Sequence, residues 1–183
     1  LSGVIEKIRY KGWERKAMTH YGTASFPSPE ERARQEAAVF ERMIKISLLV
    51  PLWNTPEQFL REMLESVQWQ TYANWELCLA DGSDEEHAYV GEFCREQAKK
   101  DSRIVYRHLE KNGGISGNTN ECCKMATGEY IGLFDHDDIL HPGLLYEYVK
   151  VVNEKNADFV YCDEATFKNG DINHMITMHF KPY

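Results

Sequence analysis

The chain has 183 residues, 43% of them hydrophobic and 27% charged, with a formal net charge of −8. That length suits one α/β domain, alone or with an extension. The acidic balance excludes a nucleic-acid binder relying on a basic face, which needs clustered Lys and Arg, and suits a protein that meets anionic phosphates through a bound metal.

Five cysteines, Cys78, Cys94, Cys122, Cys123 and Cys162, show no paired CxxC spacing. We expect buried, reduced thiols of a cytosolic protein rather than zinc or a disulfide framework. His174 and His179 have no acidic partner motif and read as incidental. No apolar run has the length of a membrane span, and no signal peptide is visible. The chain opens at Leu1 and stops at Tyr183 without a closing element, which reads as a piece of a longer chain.

In chain order, residues 1–24 carry Tyr10, Trp13 and Tyr21 among charges, and 25–29 read as a hinge. Ser28, Pro29 and Glu31 form a helix start, and Ala33, Ala37, Phe40 and Ile44 share one face of the expected helix. Residues 1–44 therefore read as a helical extension packed against a main domain at 45–183. Lys45–Leu52 is a short apolar run, expected as a strand buried on both faces. Asn54 or Thr55 is expected to cap the next helix, whose apolar stripe is Phe59, Leu60, Met63, Leu64 and Val67. Trp75–Ala80 is a second strand running into Asp81-Gly82-Ser83-Asp84, followed by a helix with Val90, Phe93 and Ala98 inward. Arg103–Leu109 is a third strand. The segment Asn112–Asn120 leads into a short helix, and Glu129–Phe134 climbs as a strand to Asp135-His136-Asp137-Asp138. Pro142 opens a further helix bearing Leu144, Leu145, Tyr148, Val149 and Val152, and Asp158–Tyr161 is expected as a last strand before Cys162-Asp163-Glu164. Strands alternating with amphipathic helices imply a mostly parallel α/β sheet.

Polar clusters follow the strands at Pro51–Asn54, Asp81–Asp84, Asn112–Asn120 and Asp135–Asp138. In doubly wound sheets, ligands bind outside the carboxyl ends of the strands, so these clusters open on one edge. Stacked carboxylates at a strand end repel unless a cation sits among them, and oxygen donors suit Mg²⁺ or Mn²⁺, which take further ligands from substrate phosphates. Asp81 is placed to accept hydrogen bonds from a base or ribose. The glycine-rich segment at 113–117 fits neither the phosphate-loop nor the dinucleotide fingerprint.

The succession Ile46–Pro56, Gln70–Leu77, Asp81-Gly82-Ser83, Asn112–Ser116, Gly128–Ile131 and Asp135–Asp138 resembles family 2 glycosyltransferases of the GT-A fold, over about residues 45–183. The extension more loosely resembles the region before this domain in some bacterial cell-surface polysaccharide enzymes. The resemblance implies that Pro51, Leu52 and Asn54 line a nucleotide pocket and that Asp81 binds the uracil or ribose end. Asp135 and His136 would lie on the donor side, and Asp137, with Asp135, would hold Mn²⁺ or Mg²⁺ on the donor diphosphate. It further implies a nucleoside-diphosphate sugar donor, with UDP as carrier, and an inverting transfer to a glycan or lipid-linked acceptor. The setting would be cell-envelope polysaccharide synthesis, at a cytoplasmic or inner-membrane-peripheral location. Ala80 and Thr119 depart from the family's usual Asp and Arg. The usual catalytic base would lie downstream of Tyr183, so the catalytic residue is unassigned and weak transfer is expected of this chain. The main rival is a non-catalytic sugar-nucleotide or carbohydrate-binding module. An Asp-x-Asp phosphatase closes its first strand with that motif, and nucleotidyltransferases begin with a Gly-rich basic loop; neither context is present.

Overall fold

The structure is a computed structural model describing residues 26–167 and 175–179. Residues 27–156 form one compact unit, and a hairpin further along belongs to a second. The expected features of residues 1–24 and the reading of His174 lie outside the described residues.

The first helix, α1, spans Pro29–Glu36 and starts as its sequence dictates: Ser28 Oγ accepts from Glu31 N, and Pro29 opens the first turn. It stops at Glu36, well short of Ile44. Phe40 instead packs on the rings of Tyr72 and Tyr146, and Asn153 grips the backbone of Arg42 through both its N–H and its C=O. Tertiary contacts thus outweigh the helical spacing of residues 37–44. This stretch belongs to the same compact unit as the sheet.

Strand β1 (Ile46–Leu52) and strand β2 (Trp75–Asp81) are buried along their whole length, in keeping with their largely apolar sequences. Between them lies α2 (Glu57–Gln68), which turns Leu60, Met63, Leu64 and Val67 inward. Each such side chain contributes about 1.5–3 kcal/mol by leaving water. Phe59 falls off that stripe and is exposed. Helix α3 (Ala88–Lys100) buries Val90 and Cys94 and leads to β3 (Ile104–His108). Helix α4 (Gly114–Met125) precedes the short β4 (Tyr130–Leu133), and α5 (Leu144–Lys155) closes the unit. The four strands are all parallel, in the order β3-β2-β1-β4.

No strand forms at Asp158–Tyr161, where Phe159 is exposed. Strand β5 begins at Glu164 and pairs antiparallel with β6 (Met175–His179), with a register shift between Thr166 and Phe167. A strand needs a ladder as well as a pattern, and among the described residues neither sheet takes up Asp158–Tyr161. The cysteines split: Cys78, Cys94 and Cys122 are buried, and burial pushes their thiols up to about 12, 12 and 11. Cys123 and Cys162 are exposed, against expectation.

At the amino edge of the sheet, buried Glu76 gathers the starts of β1, β2 and β4. Its carboxylate accepts from Ser47 Oγ, Thr127 N and Thr127 Oγ1, and pairs with Lys45. Burial alone raises this carboxyl, but these partners outweigh it and bring it to about 2.

A candidate nucleotide and metal site at the carboxyl edge

Strand order reverses beside β1. The chain moves from β1 to β2 and β3 on one side, then returns to place β4 on the other. The β1–β4 ladder ends at Leu49–Leu133, with one more bond from Phe134 N to Leu49 O (3.2 Å), while β1 continues to Leu52. Beyond that bond the two chains part, and a cavity of about 260 Å³ opens where they diverge. This is the crevice at which doubly wound sheets bind ligands.

One wall is the end of β1: Pro51, Leu52 and Trp53. Leu52 O is held by Gly82 N (3.0 Å) and Asn118 Nδ2 (3.2 Å), which ties β1 to β2 and α4. A second wall is the start of α4. Asn118, 1% exposed, accepts from Gly113 N and donates to Asn112 Oδ1, while Asn112 Oδ1 also accepts from Gly114 N. Gly114 sits at φ +69°, where a side chain would be strained. The glycine-rich stretch is therefore the helix start itself, fastened by two asparagines, with Ile115 at the rim.

The third wall is Asp135, His136 and Asp137. Asp138 N bonds Asp135 O (3.3 Å), making a turn that leaves the carboxylates of Asp135 and Asp137 exposed. His136 is half-buried, and its Nδ1 is sealed from solvent without a hydrogen-bond partner. Among the described residues no three His, Cys, Asp or Glu side chains form a ready-made metal cage. Two hard carboxylates on one turn fit Mg²⁺ or Mn²⁺, which are held by few protein ligands and complete their shells with phosphate and water.

Two expected residues stand elsewhere. Asn54 does not line the cavity: at φ 50° its N–H donates to Ser83 Oγ, and its side chain exchanges bonds with Asp84 Oδ2 and Asp84 N. Nor does it cap α2, whose N-cap is Pro56, without a side-chain bond. Asp84 is held below its ordinary value by His87 and Asn54. Asp81 is 1% exposed and is not among the cavity's lining residues; Oδ1 accepts from Ser83 N (2.9 Å) and Oδ2 from Tyr106 Oη (2.8 Å), with His108 Nδ1 3.9 Å away. Burial, then the bond to Asp81, pushes the Tyr106 phenol up. Asp81 still ends at the same sheet edge as the cavity. A Cβ on the adjoining Gly82 would stand 2.9 Å from Asn118 Nδ2, so this corner backs onto the asparagine wall.

Sequence reasoning passed over Trp53, Ile115 and Asn118. An exposed tryptophan next to a buried strand end was the available signal for the first.

Residues 47–179 match the model of the glycosyl transferase family 2. The chain belongs to this family. Over 138 residues it is 41% identical to the uncharacterized protein y4gI of Sinorhizobium fredii, covering 75% of the chain and 15% of that protein. Over 129 residues it is 33% identical to the E. coli UDP-Glc:alpha-D-GlcNAc-diphosphoundecaprenol beta-1,3-glucosyltransferase WfgD, covering 69% of the chain and 48% of the relative. The crystal structure of S. aureus TarS 1-349 in complex with UDP superposes with a TM-score of 0.54 at 26% identity, over 63% of this chain and 34% of that one. The GT-A fold is thus shared. The chain spans less than half the length of these relatives. Among the described residues no helix is long and apolar enough to cross a membrane.

Proposed function

We propose that the chain is the nucleotide-sugar-binding part of a glycosyltransferase that moves a sugar from a UDP-linked donor to a glycan or lipid-linked acceptor. The observation that carries this reading is the cavity at the strand-order reversal, with Trp53 on one wall and the Asp135–Asp137 turn on another. Among the described residues no Lys or Arg lines that cavity. A diphosphate entering it meets carboxylates, so charge balance there calls for a cation. Asp135 and Asp137 would hold Mn²⁺ or Mg²⁺, which when bound neutralises charge developing on the departing nucleoside diphosphate. The protein's own part is to orient the nucleotide. Trp53 would offer an aromatic face to a base, and Gly114, Ile115 and Asn118 at the start of α4 would close the opposite wall. Solved TarS complexes with UDP and UDP-GlcNAc, and the UDP-Glc in the name of WfgD, support UDP as the carrier.

Thermal unfolding with UDP, with and without Mn²⁺, tests the reading. A ligand that binds only the native state raises its apparent stability by RT ln(1 + [L]/Kd). UDP should raise Tm only with metal, and Asp137→Ala should abolish the rise. An equal rise without metal, or one that survives Asp137→Ala, overturns the proposal.

A further inference from the structure

The acidic turn is exposed and carries three carboxylates in four residues, so self-repulsion would spread it unless something fixes it from behind. That support comes from four polar side chains, each at most 8% exposed: Ser66, Gln70, Thr71 and Gln35. They hold the segment immediately after the turn. Leu140 N donates to Ser66 Oγ (3.1 Å). Gln70 Nε2 donates to His141 O (2.8 Å) and to Ser66 O (3.1 Å), while its Oε1 accepts from Leu145 N (3.1 Å). Thr71 N donates to Pro142 O (2.9 Å), and the Thr71 hydroxyl donates to Gln35 Oε1 (2.8 Å) on α1. A Cβ on Gly143 would lie 3.1 Å from that same Gln35 oxygen, so α1 presses directly on the segment.

Buried polar side chains are costly unless fully partnered. Here their partners include backbone groups of Leu140, His141, Pro142 and Leu145, at the approach to and first turn of α5. We propose that Ser66, Gln70 and Thr71, with Gln35 bracing Thr71 from α1, are positioning residues: they fix the Asp135–Asp138 turn where its carboxylates meet metal and diphosphate. Gln35 lies ahead of residues 47–179, so an element outside the family-matched stretch takes part in the site. The inference rests on the donor-binding reading above.

The test is calorimetric titration of UDP in Mn²⁺, beside NMR titration of uridine, which has no diphosphate, in metal-free buffer. The variants are Ser66→Ala, Gln70→Leu, Gln35→Leu and Thr71→Val, with Thr71→Ser as the conservative rescue. Outer groups that orient metal ligands typically change metal affinity about 10- to 100-fold. We expect Ser66→Ala and Gln70→Leu to weaken Mn²⁺-dependent UDP binding about 10-fold or more while uridine binding holds. Gln35→Leu and Thr71→Val should give smaller losses, and Thr71→Ser should restore wild-type binding. Asn153→Ala, which breaks the clasp on Arg42 away from the turn, should lower Tm without altering UDP affinity. Variants that lose Tm yet bind UDP like the wild type, or that lose uridine equally, overturn the inference alone. If the wild-type chain binds UDP equally with and without Mn²⁺, the donor reading falls and this inference with it.

Discussion

Glu76→Gln removes one charge from the amino edge of the sheet and keeps the side chain's shape. The folded carboxyl lies at about 2 against an ordinary 4.5. A depressed carboxyl contributes stability that is fully present above its unfolded value and is lost as pH falls toward its folded value. At about 1.36 kcal/mol per unit, the ionised form is worth on the order of 3 kcal/mol at neutral pH. The side chain is only 5% exposed, so solvent screening removes little of this. Glutamine can still accept from Ser47 and Thr127 but has no charge for Lys45, so it mimics the protonated state. Urea unfolding should show the variant about 3 kcal/mol less stable at pH 7 and only about 1.5 kcal/mol less stable at pH 3, because the wild type loses its advantage in that window. A deficit below about 1 kcal/mol at pH 7, or one that stays constant down to pH 3, would refute the argument.

Gly128→Ala would bring a Cβ to 2.7 Å from Lys45 O and 2.8 Å from Ser47 N, backbone atoms that move only with β1. A loss of about 1–3 kcal/mol or more in urea unfolding is expected. Tyr106→Phe leaves buried Asp81 with one protein donor fewer and should cost about 1–3 kcal/mol in the same assay, whereas an unchanged midpoint would mean that water replaces the phenol. Trp53→Ala should leave Tm nearly unchanged, since the ring is 55% exposed. If the ring stacks on a base, UDP affinity falls by about 1–3 kcal/mol in calorimetry.

The two central strands, β1 and β2, were legible because burial on both faces leaves largely apolar runs, and the carboxyl-edge clusters follow from strand direction alone. Ser28 was legible as a cap because its partner, Glu31 N, is three residues away. What failed depended on distant partners. Asn54 looked like a cap, but its side chain is claimed by Asp84. The spacing of residues 37–44 suggested helix, but Phe40 is held by Tyr72 and Tyr146. The Asp158–Tyr161 pattern suggested a strand that no ladder completes. The glycine-rich segment matched no fingerprint; what fastens it is Asn112 and Asn118 on either side of it, bonds that no glycine spacing announces.

The two edges of the sheet follow opposite rules, and the difference bears on how the site works. At the amino edge the buried carboxylate of Glu76, on β2, is saturated with donors from around the start of β1 and the approach to β4, so charge there adds rigidity. At the carboxyl edge the exposed Asp135 and Asp137 line a cavity to which, among the described residues, no Lys or Arg contributes. On the donor-binding reading proposed above, that arrangement would be completed by a cation. It persists because β4 is anchored at Thr127 and Gly128 before the turn and the chain is clasped by Ser66, Gln70 and Thr71 after it. A turn fixed on both flanks keeps its carboxylates in one place, which is what the proposed cation site requires of its supporting shell.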